Sequence, residues 1–497
     1  MDFIRNFPFF SIILAMFCGI VSSVLKGRWA KRLCLFMVTA QILLSGAVLF
    51  YTVRTGESFI YMMGHFPAPW GNEIRAGILE AMMATGFSVI MLLSLLGGIS
   101  HVFTDVEETK TNLFFILVDL LMSSLLALIY TNDLFTAYVF VEINTIAACG
   151  LIMIRQNGHG IVAAIRYMVM SLLGSGMFLI SLTLLYDITG HLLMEPAQDA
   201  VAMIVRTGSY DVPLLVVIGL MSVGLAIKSG LYPFHSWIPE TYGYATPAAS
   251  AILSSLVSKG YIFLLIKVFY RVIGYGTVIG SGVTNLLFLF GLAGMLIGSV
   301  RAIKETDTRR MVAYSSVAQI GYIYMGIGLG TQAGMVAAVF HIFTHAATKS
   351  LLFISAVGLY EVSDGRTDYV SLRGSGYRNR TAGLAFAVGA LSMVGFPMLS
   401  GFISKLLFAT AAVQSPHKMV LTILGLAVST ILNAIYFLRL VISIYSPSER
   451  EFSLDESHQA SRMLKVASFL FVAVNLVLGL FSKPIVDGIN AGLGMFL

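Results

Sequence analysis

The stretch GLAIKSGLYPFHSWIPE (residues 224–240) places Lys228 two residues before Gly230 and five before Pro233, inside one of the long apolar runs of the chain. Proline removes a backbone donor and clashes with the preceding turn, so a helix entering this stretch is expected to break. A lysine beside a break inside an apolar run is costly in lipid. Working outward from it decides what kind of molecule this is.

Of 497 residues, 57% are hydrophobic and only 11% are charged. An average soluble domain carries about 25% charged residues. A soluble core could not hide this much apolar surface, so the chain reads as an all-α polytopic membrane protein. A spanning helix needs about 20 mostly apolar residues. Fourteen such runs can be laid out, at 8–25, 33–53, 76–99, 112–130, 133–154, 162–186, 212–232, 246–270, 281–301, 310–329, 333–360, 382–411, 418–445 and 465–484. Their length separates them from barrel strands, which need only about ten alternating residues. The first run is read as a span rather than a cleaved signal, because no small-residue cleavage site stands out.

The loops give an orientation. Basic clusters follow spans 1, 9, 11 and 13: Lys26, Arg28, Lys31, Arg32; Arg301, Lys304, Arg309, Arg310; Arg366, Arg373, Arg378, Arg380; and Arg450, Arg462, Lys465. Loops after even-numbered spans hold scattered bases such as Arg54, Arg206 and Lys418. The positive-inside rule then predicts cytoplasmic odd-numbered loops and both termini on the non-cytoplasmic side of the cell membrane. The net charge of +6 belongs to these loops and does not point to nucleic acid. Cys18, Cys34 and Cys149 form no CxxC pair, so no metal, iron–sulfur or other cofactor is expected in this chain.

Against the apolar background a few ionisable residues stand out: Glu142, Lys228, Lys259, His341, His345, Lys349 and Lys405. A charge at the centre of a spanning helix costs about 2.5–3.5 kcal/mol on the insertion scale, so function is the default reading of each. The bland readings are weaker. Snorkelling of Lys259 would need a nearby interface, yet apolar residues flank it on both sides. Glu142 and Lys228 could be a purely structural pair. Paired His341 and His345 could ligate a metal, but Lys349 on the same helix face repels a cation. His235 has no apolar flank and reads equally well as an interfacial histidine.

The break recurs. Lys405 follows Gly395, Pro397 and Gly401, as Lys228 neighbours Gly230 and Pro233. Freed backbone at membrane depth is tolerated only where protein or a water-filled cavity satisfies it. Discontinuous helices in both halves of a chain signal an inverted repeat. Lys228 and Lys405 lie 177 residues apart, and the same offset carries Glu142 to the polar Gln319. Five spans separate the two breaks, and an odd number gives repeats of opposite orientation. Lys228 thus reads as a titrating group in a hydrated pocket, its proton affinity set by burial and by Glu142, within a chain of such groups.

At these residues the sequence resembles the antiporter-like proton-channel subunits shared by respiratory complex I, Mrp cation/proton antiporters and membrane-bound energy-converting hydrogenases. The stretches that carry the resemblance are FVEINTIAACGL (140–151), AIKSGLYPFHSWIPE (226–240), ATPAASAILSSLVSKGYIFLL (245–265), RRMVAYSSVAQIGYI (309–323) and FHIFTHAATKSLLF (340–353). The resemblance implies one transmembrane domain over 1–497. Spans 1–3 would occupy 1–110, a first five-helix repeat (spans 4–8) 111–271, a second inverted repeat (spans 9–13) 280–445, and a loop with span 14 446–497. Helices 7 and 12 would be broken. It also implies roles: Glu142 pairing with Lys228, Lys259 connecting, His345 and Lys349 relaying, and Lys405 at the exit. Partners would be other membrane subunits, related antiporter-like ones among them. The moved ion would be H⁺, alone or with Na⁺, coupled to redox chemistry in partner chains or to cation antiport.

Two other classes compete. An autonomous carrier of a small solute would need half-helix N-termini facing an anion, whereas the buried charges here are mostly basic and strung through successive spans. An enzyme active in the membrane would need a nucleophile–base or metal-ligand set, and no catalytic set is visible.

Overall fold

The computed structural model describes residues 2–66, 71–448 and 461–496; Arg450 of the last basic cluster lies outside them. The chain opens with α1 (Phe7–Val24) and α2 (Gly27–Thr55), followed by a small hairpin of β1 (Phe59–Met62) and β2 (Glu73–Ala76). The helices then continue as α3 (Ile78–Asp105), α4 (Thr111–Tyr130), α5 (Leu134–Met153), α6 (Gly158–Thr189), α7 (Met194–Thr207), α8 (Asp211–Ser229) and α9 (Ile238–Tyr244). Next come α10 (Pro247–Ile252), a π-helical segment Leu253–Val257, α11 (Ser258–Arg271), α12 (Tyr275–Gly280), α13 (Val283–Lys304) and α14 (Thr308–Gly328). The chain closes with α15 (Gln332–Glu361), α16 (Ser375–Arg378), α17 (Arg380–Val394), α18 (Ser400–Val413), α19 (Pro416–Ile444), α20 (Arg462–Leu480) and α21 (Ser482–Gly494). Twelve helical stretches are long and apolar enough to cross a membrane, Pro247–Arg271 counting as one. The run 310–329 falls on α14, and the run 382–411 divides into the two shorter apolar helices α17 and α18.

Local chemistry sets the helix ends. Asp133, Asn157, Asp307 and Thr331 each accept a hydrogen bond from the backbone N–H three residues on, capping α5, α6, α14 and α15. The hairpin and α7 are departures from an all-spanning reading. Phe59, Ile74 and Ala76 turn inward with alternating periodicity, which suits a strand pair outside the apolar layer. In α7 the buried residues Met194, Ala197, Val201 and Ile204 recur at helical spacing, so it is a surface-lying amphipathic helix.

Burial orders the helices from centre to rim. The most apolar window of Pro247–Arg271 is wholly buried and that of α15 94% buried, against 33% for α2 and 39% for both α6 and α19. The ionisable residues cluster on the central helices, where protein rather than lipid surrounds them. Small residues allow close contact: Gly291 of α13 and Gly321 of α14 face each other, and a Cβ on either would lie within 2.8 Å of the other's carbonyl oxygen.

Helices end close to both lysines. α8 stops at Ser229, Gly230 takes φ 79°, Pro233 lies in the connection, and α9 begins at Ile238. α17 stops at Val394, Gly395 takes φ 96°, and Pro397 lies in the connection to Ser400. Gly401 is not a break residue: it is the second residue of α18, held there because a Cβ would sit 1.8 Å from the Ser392 carbonyl oxygen.

Candidate functional site

The first cluster joins α5, α8 and α11. Lys228, fully buried in the last turn of α8, lies 3.5 Å from Glu142 Oε1 and donates to Thr145 Oγ1 at 2.6 Å. The C-terminal carbonyls of α8 supply partial negative charge there. Thr145 Oγ1 is 3.4 Å from the Tyr261 hydroxyl, which donates to Asn144 Oδ1 at 2.9 Å; Asn144 in turn donates to Ser124 Oγ of α4. The Tyr261 ring lies 5.6 Å from the Lys228 ammonium, a cation–π contact. Glu142 is different from Lys228: its side chain is 29% exposed, so one member of the pair opens to the outer face of α5.

Lys259 is the second residue of α11, directly after the π-helical segment, and has no acidic partner among the described residues. Its ammonium donates to the Ser254 carbonyl oxygen and, at 3.1 Å, to Ser258 Oγ. π-bulges are frequent at functional positions because they displace backbone groups from the α ladder. Here the segment brings one such carbonyl to a buried ammonium. The Ser254 hydroxyl then meets Ser316 of α14 at 3.0 Å, and Ser316 donates to the Val312 carbonyl oxygen at 3.3 Å. The same carbonyl accepts from Lys349 at 2.9 Å, and Lys349 also donates to Ser315 Oγ. Lys259 and Lys349 are thus joined through α14 by the carbonyl and hydroxyl of Ser254, the Ser316 hydroxyl and the Val312 carbonyl.

On α15 the rings of His341 and His345 stack 6.1 Å apart, and Lys349 follows one turn on. Both ring nitrogens of His345 are buried without a hydrogen-bond partner. His341 Nδ1 lies 2.6 Å from Ser404 Oγ of α18, while its Nε2 has no partner. Lys259 is an electrostatic neighbour of His341, His345 and Lys349, and Lys405 of His341. Lys405 is half-buried and reaches back across the second break to the Val394 carbonyl oxygen at 2.7 Å, the end of α17. Lys405 thus sits on a helix C-terminal carbonyl, whereas Lys228, although in the last turn of α8, directs its ammonium to Glu142 and Thr145 of α5. The break itself is tied by Asn475 of α20, whose Oδ1 accepts from Ser392, Ser400 and Thr348 at 2.9, 2.7 and 3.0 Å. His235 lies in the connection 230–237 with its ring 5.4 Å from that of Tyr232, outside this row.

The arrangement is a line of bases separated by hydroxyls in the buried middle of the fold. Among the described residues no group of three or more His, Cys, Asp or Glu side chains is placed to hold a metal ion. Several members carry no signal in the sequence. Thr145, Tyr261, Ser254, Ser315, Ser316 and Asn475 are ordinary residues in helices, distinguished only by what faces them. Lys267 and Arg271 form a further buried group at the end of α11. Lys267 donates to the Ile129 and Thr131 carbonyl oxygens at 2.8 and 2.5 Å, and Arg271 lies 3.5 Å from Glu80 and donates to Asn132. Their place at the end of a run makes them look like ordinary flanking charges.

Residues 131–432, which contain all of this row, match the family described as NADH:quinone oxidoreductase/Mrp antiporter, transmembrane. The chain is 30% identical to an NADH-quinone oxidoreductase subunit (the N type) of Desulforudis audaxviator, over 97% of both chains. It is 26% identical to a Na(+)/H(+) antiporter subunit of Alkalihalophilus pseudofirmus, over 90% of this chain and 88% of that one. Its fold superposes with TM-score 0.87 on a chain of the membrane-bound sulfane sulfur reductase, an archaeal respiratory membrane complex, at 23% identity, covering 100% of this chain and 98% of that one. A chain of the Mrp complex from Dietzia gives TM-score 0.84 at 22% identity, covering 99% and 97%. With its family profile spanning the row of buried bases and a relative matched nearly end to end, this chain belongs to the NADH:quinone oxidoreductase/Mrp antiporter transmembrane family.

Proposed function

We propose that the chain is an ion-translocating, antiporter-like subunit of a multi-subunit membrane complex, and that it moves protons along the row Glu142–Lys228–Lys259–Lys349–His345–His341–Lys405. One observation carries this reading: the enclosed bases lie along hydroxyl and carbonyl groups, and among the described residues only Lys228 of this row has an acidic partner. Five uncompensated or barely compensated bases are a poor structural device, whereas a chain of ionisable groups inside a membrane suits a proton relay. Lysine and histidine can each accept and release a proton; the serine, threonine and tyrosine hydroxyls between them can donate and accept hydrogen bonds in either direction. A change of charge at Glu142 would be felt at Lys228 across 3.5 Å, and so could start transfer inward.

The fourteen-span topology belongs to the same proposal, with α8/α9 and α17/α18 as the broken seventh and twelfth spans of two inverted five-helix repeats, 111–271 and 280–445. So does the sidedness, with the basic loops cytoplasmic and both termini outside. The chain would gain its driving force from partners, either by redox chemistry in other subunits or by exchange against a cation. A carrier of an anionic solute would expose half-helix N-termini at the breaks; here Lys405 occupies the C-terminal carbonyl of α17, and Lys228 lies in the last turn of α8. The test is transport by the complex reconstituted in vesicles, with proton and ²²Na⁺ fluxes followed separately in wild type and in Lys259→Ala. Loss of proton flux in the variant is the expected result. Sodium flux that survives while proton flux is lost would mean that Na⁺ takes another route. Unchanged proton flux would overturn the relay.

A further inference from the structure

Asp119 lies in the middle of α4, outside the row above, with none of its side chain exposed. None of the ion pairs among the described residues includes it. Its Oδ2 accepts from Ser22 Oγ of α1 at 3.2 Å, and its Oδ1 is buried with no hydrogen-bond partner. A carboxylate so placed must take up a proton or a cation to offset its charge. The side chains around it are the thiol of Cys34 on α2, which hydrogen-bonds the carboxyl, and that of Cys18 on α1, with Gly19 against its Cβ. Sulfur ligands suit soft metals rather than Na⁺, which needs several hard oxygens. The remaining choice is a proton.

The carboxyl is one end of a seam between α1, α2 and α4. Along α4 the same face carries Ser123 and Tyr130; along α2 it carries Gln41 and Ser45; along α1, Ser11. Gln41 Nε2 donates to the Ser11 carbonyl oxygen and Ser123 to that of Ile12, which fixes these side chains in the seam. Gln41 Oε1 is, like Asp119 Oδ1, buried without a hydrogen-bond partner, and between them and Asn132 the hydroxyls of Ser45 and Tyr130 face each other. Such buried polar atoms on one seam can be satisfied by bridging water. At the far end Tyr130 leads to Asn132, Glu80 and Arg271. Of the other charged groups on the elements around α4, Glu80 on α3 and Lys267 on α11 sit at that same end; Lys26, Arg28, Lys31 and Glu108 lie at the opposite end, near Thr111 and Phe115; α5 carries Glu142, paired with Lys228, and turns Asn144 to Ser124.

We propose that Asp119 and Ser22 form a proton-binding site on a second, water-accessible seam through α1, α2 and α4, separate from the Lys–His row. The proton adds to Oδ1, leaving Oδ2 to accept from Ser22. The test is infrared difference spectroscopy of the purified complex, wild type minus Asp119→Asn, in H₂O and in D₂O. At neutral pH wild type should show the carbonyl stretch of an un-ionised carboxyl that the variant lacks, and exchange into D₂O should shift it. Lys228→Ala should leave the band in place, which separates this site from the relay. If Asp119→Asn does not assemble, Ser22→Ala removes one hydrogen bond and should move the same band. The proposal is overturned if no carboxyl band depends on Asp119 or Ser22, if the band ignores D₂O, or if added Na⁺ abolishes it.

Discussion

At the scale of single residues, the ends of the row are the most exposed to test. Lys405 donates to the last carbonyl of α17 and lies 6.0 Å from the Tyr322 ring. Lys405→Arg keeps the charge and can keep the contact to Val394, but arginine does not give up its proton near neutral pH. The complex should assemble normally while ion translocation in vesicles falls at least about tenfold, equivalent to about 1.4 kcal/mol in the barrier. Wild-type transport would reduce Lys405 to a fixed charge that clamps the break. Glu142→Gln and Lys228→Ala should each give the same transport loss. They differ in stability. Glu142→Gln leaves a fully buried ammonium with Thr145 alone, whereas Lys228→Ala leaves a carboxylate only partly enclosed by protein. Blue-native gels should therefore show Glu142→Gln as the less stable complex; the reverse order would mean that Lys228 has another partner.

At the scale of elements, the second break is built from three parts: a left-handed Gly395, a backbone contact at Gly401 and the Asn475 clamp. An Ala at Gly395 meets the ordinary cost of the left-handed region, about 1–2 kcal/mol, and a Cβ 3.0 Å from Lys405 Cδ, which can move. An Ala at Gly401 drives its Cβ against the Ser392 carbonyl oxygen, which cannot move without opening the junction of α17 and α18. Gly401→Ala should lower the thermal midpoint of the complex more than Gly395→Ala does. Equal shifts would show that the two half-helices slide freely. Asn475→Leu is nearly the same size but leaves Ser392, Ser400 and Thr348 without their acceptor. It should cost about 1–3 kcal/mol, read as a drop in the same midpoint. The two breaks use their lysines differently: Lys405 lies on the last carbonyl of α17, whereas Lys228, in the last turn of α8, turns to Glu142 and Thr145 of α5.

At the scale of the whole molecule, the outer helices expose apolar side chains such as Phe36, Leu172, Leu424 and Phe469, which only lipid or other membrane subunits can cover. Orientation can be read by labelling. Cys18, Cys34 and Cys149 are buried, so a single introduced thiol should report without background. Lys31→Cys should react with a membrane-impermeant maleimide only from the cytoplasmic side; reaction from outside would invert the topology proposed above. The amino-acid order alone determined the class, because 57% hydrophobic residues leave no soluble alternative, and it marked Glu142, Lys228, Lys259, His341, His345, Lys349 and Lys405, because each charge is conspicuous in an apolar run. The ends of α8 and α17 fall beside Gly230 and Gly395, since glycine acts locally on the backbone. What the amino-acid order could not separate was Gly395, which ends a helix, from Gly401, which packs a helix against its neighbour. One is set by a dihedral angle and the other by an atom nine residues back in the chain. Only the tertiary structure decided how the bases are joined. Thr145, Tyr261, Ser254 and Ser316 become connectors through the helix that faces them, and serine or tyrosine in an apolar run carries no mark of that. Asp119 is as isolated in sequence as Glu142. The difference between them, a lysine at 3.5 Å for one and no ion-pair partner among the described residues for the other, exists only once α4, α5 and α8 are packed.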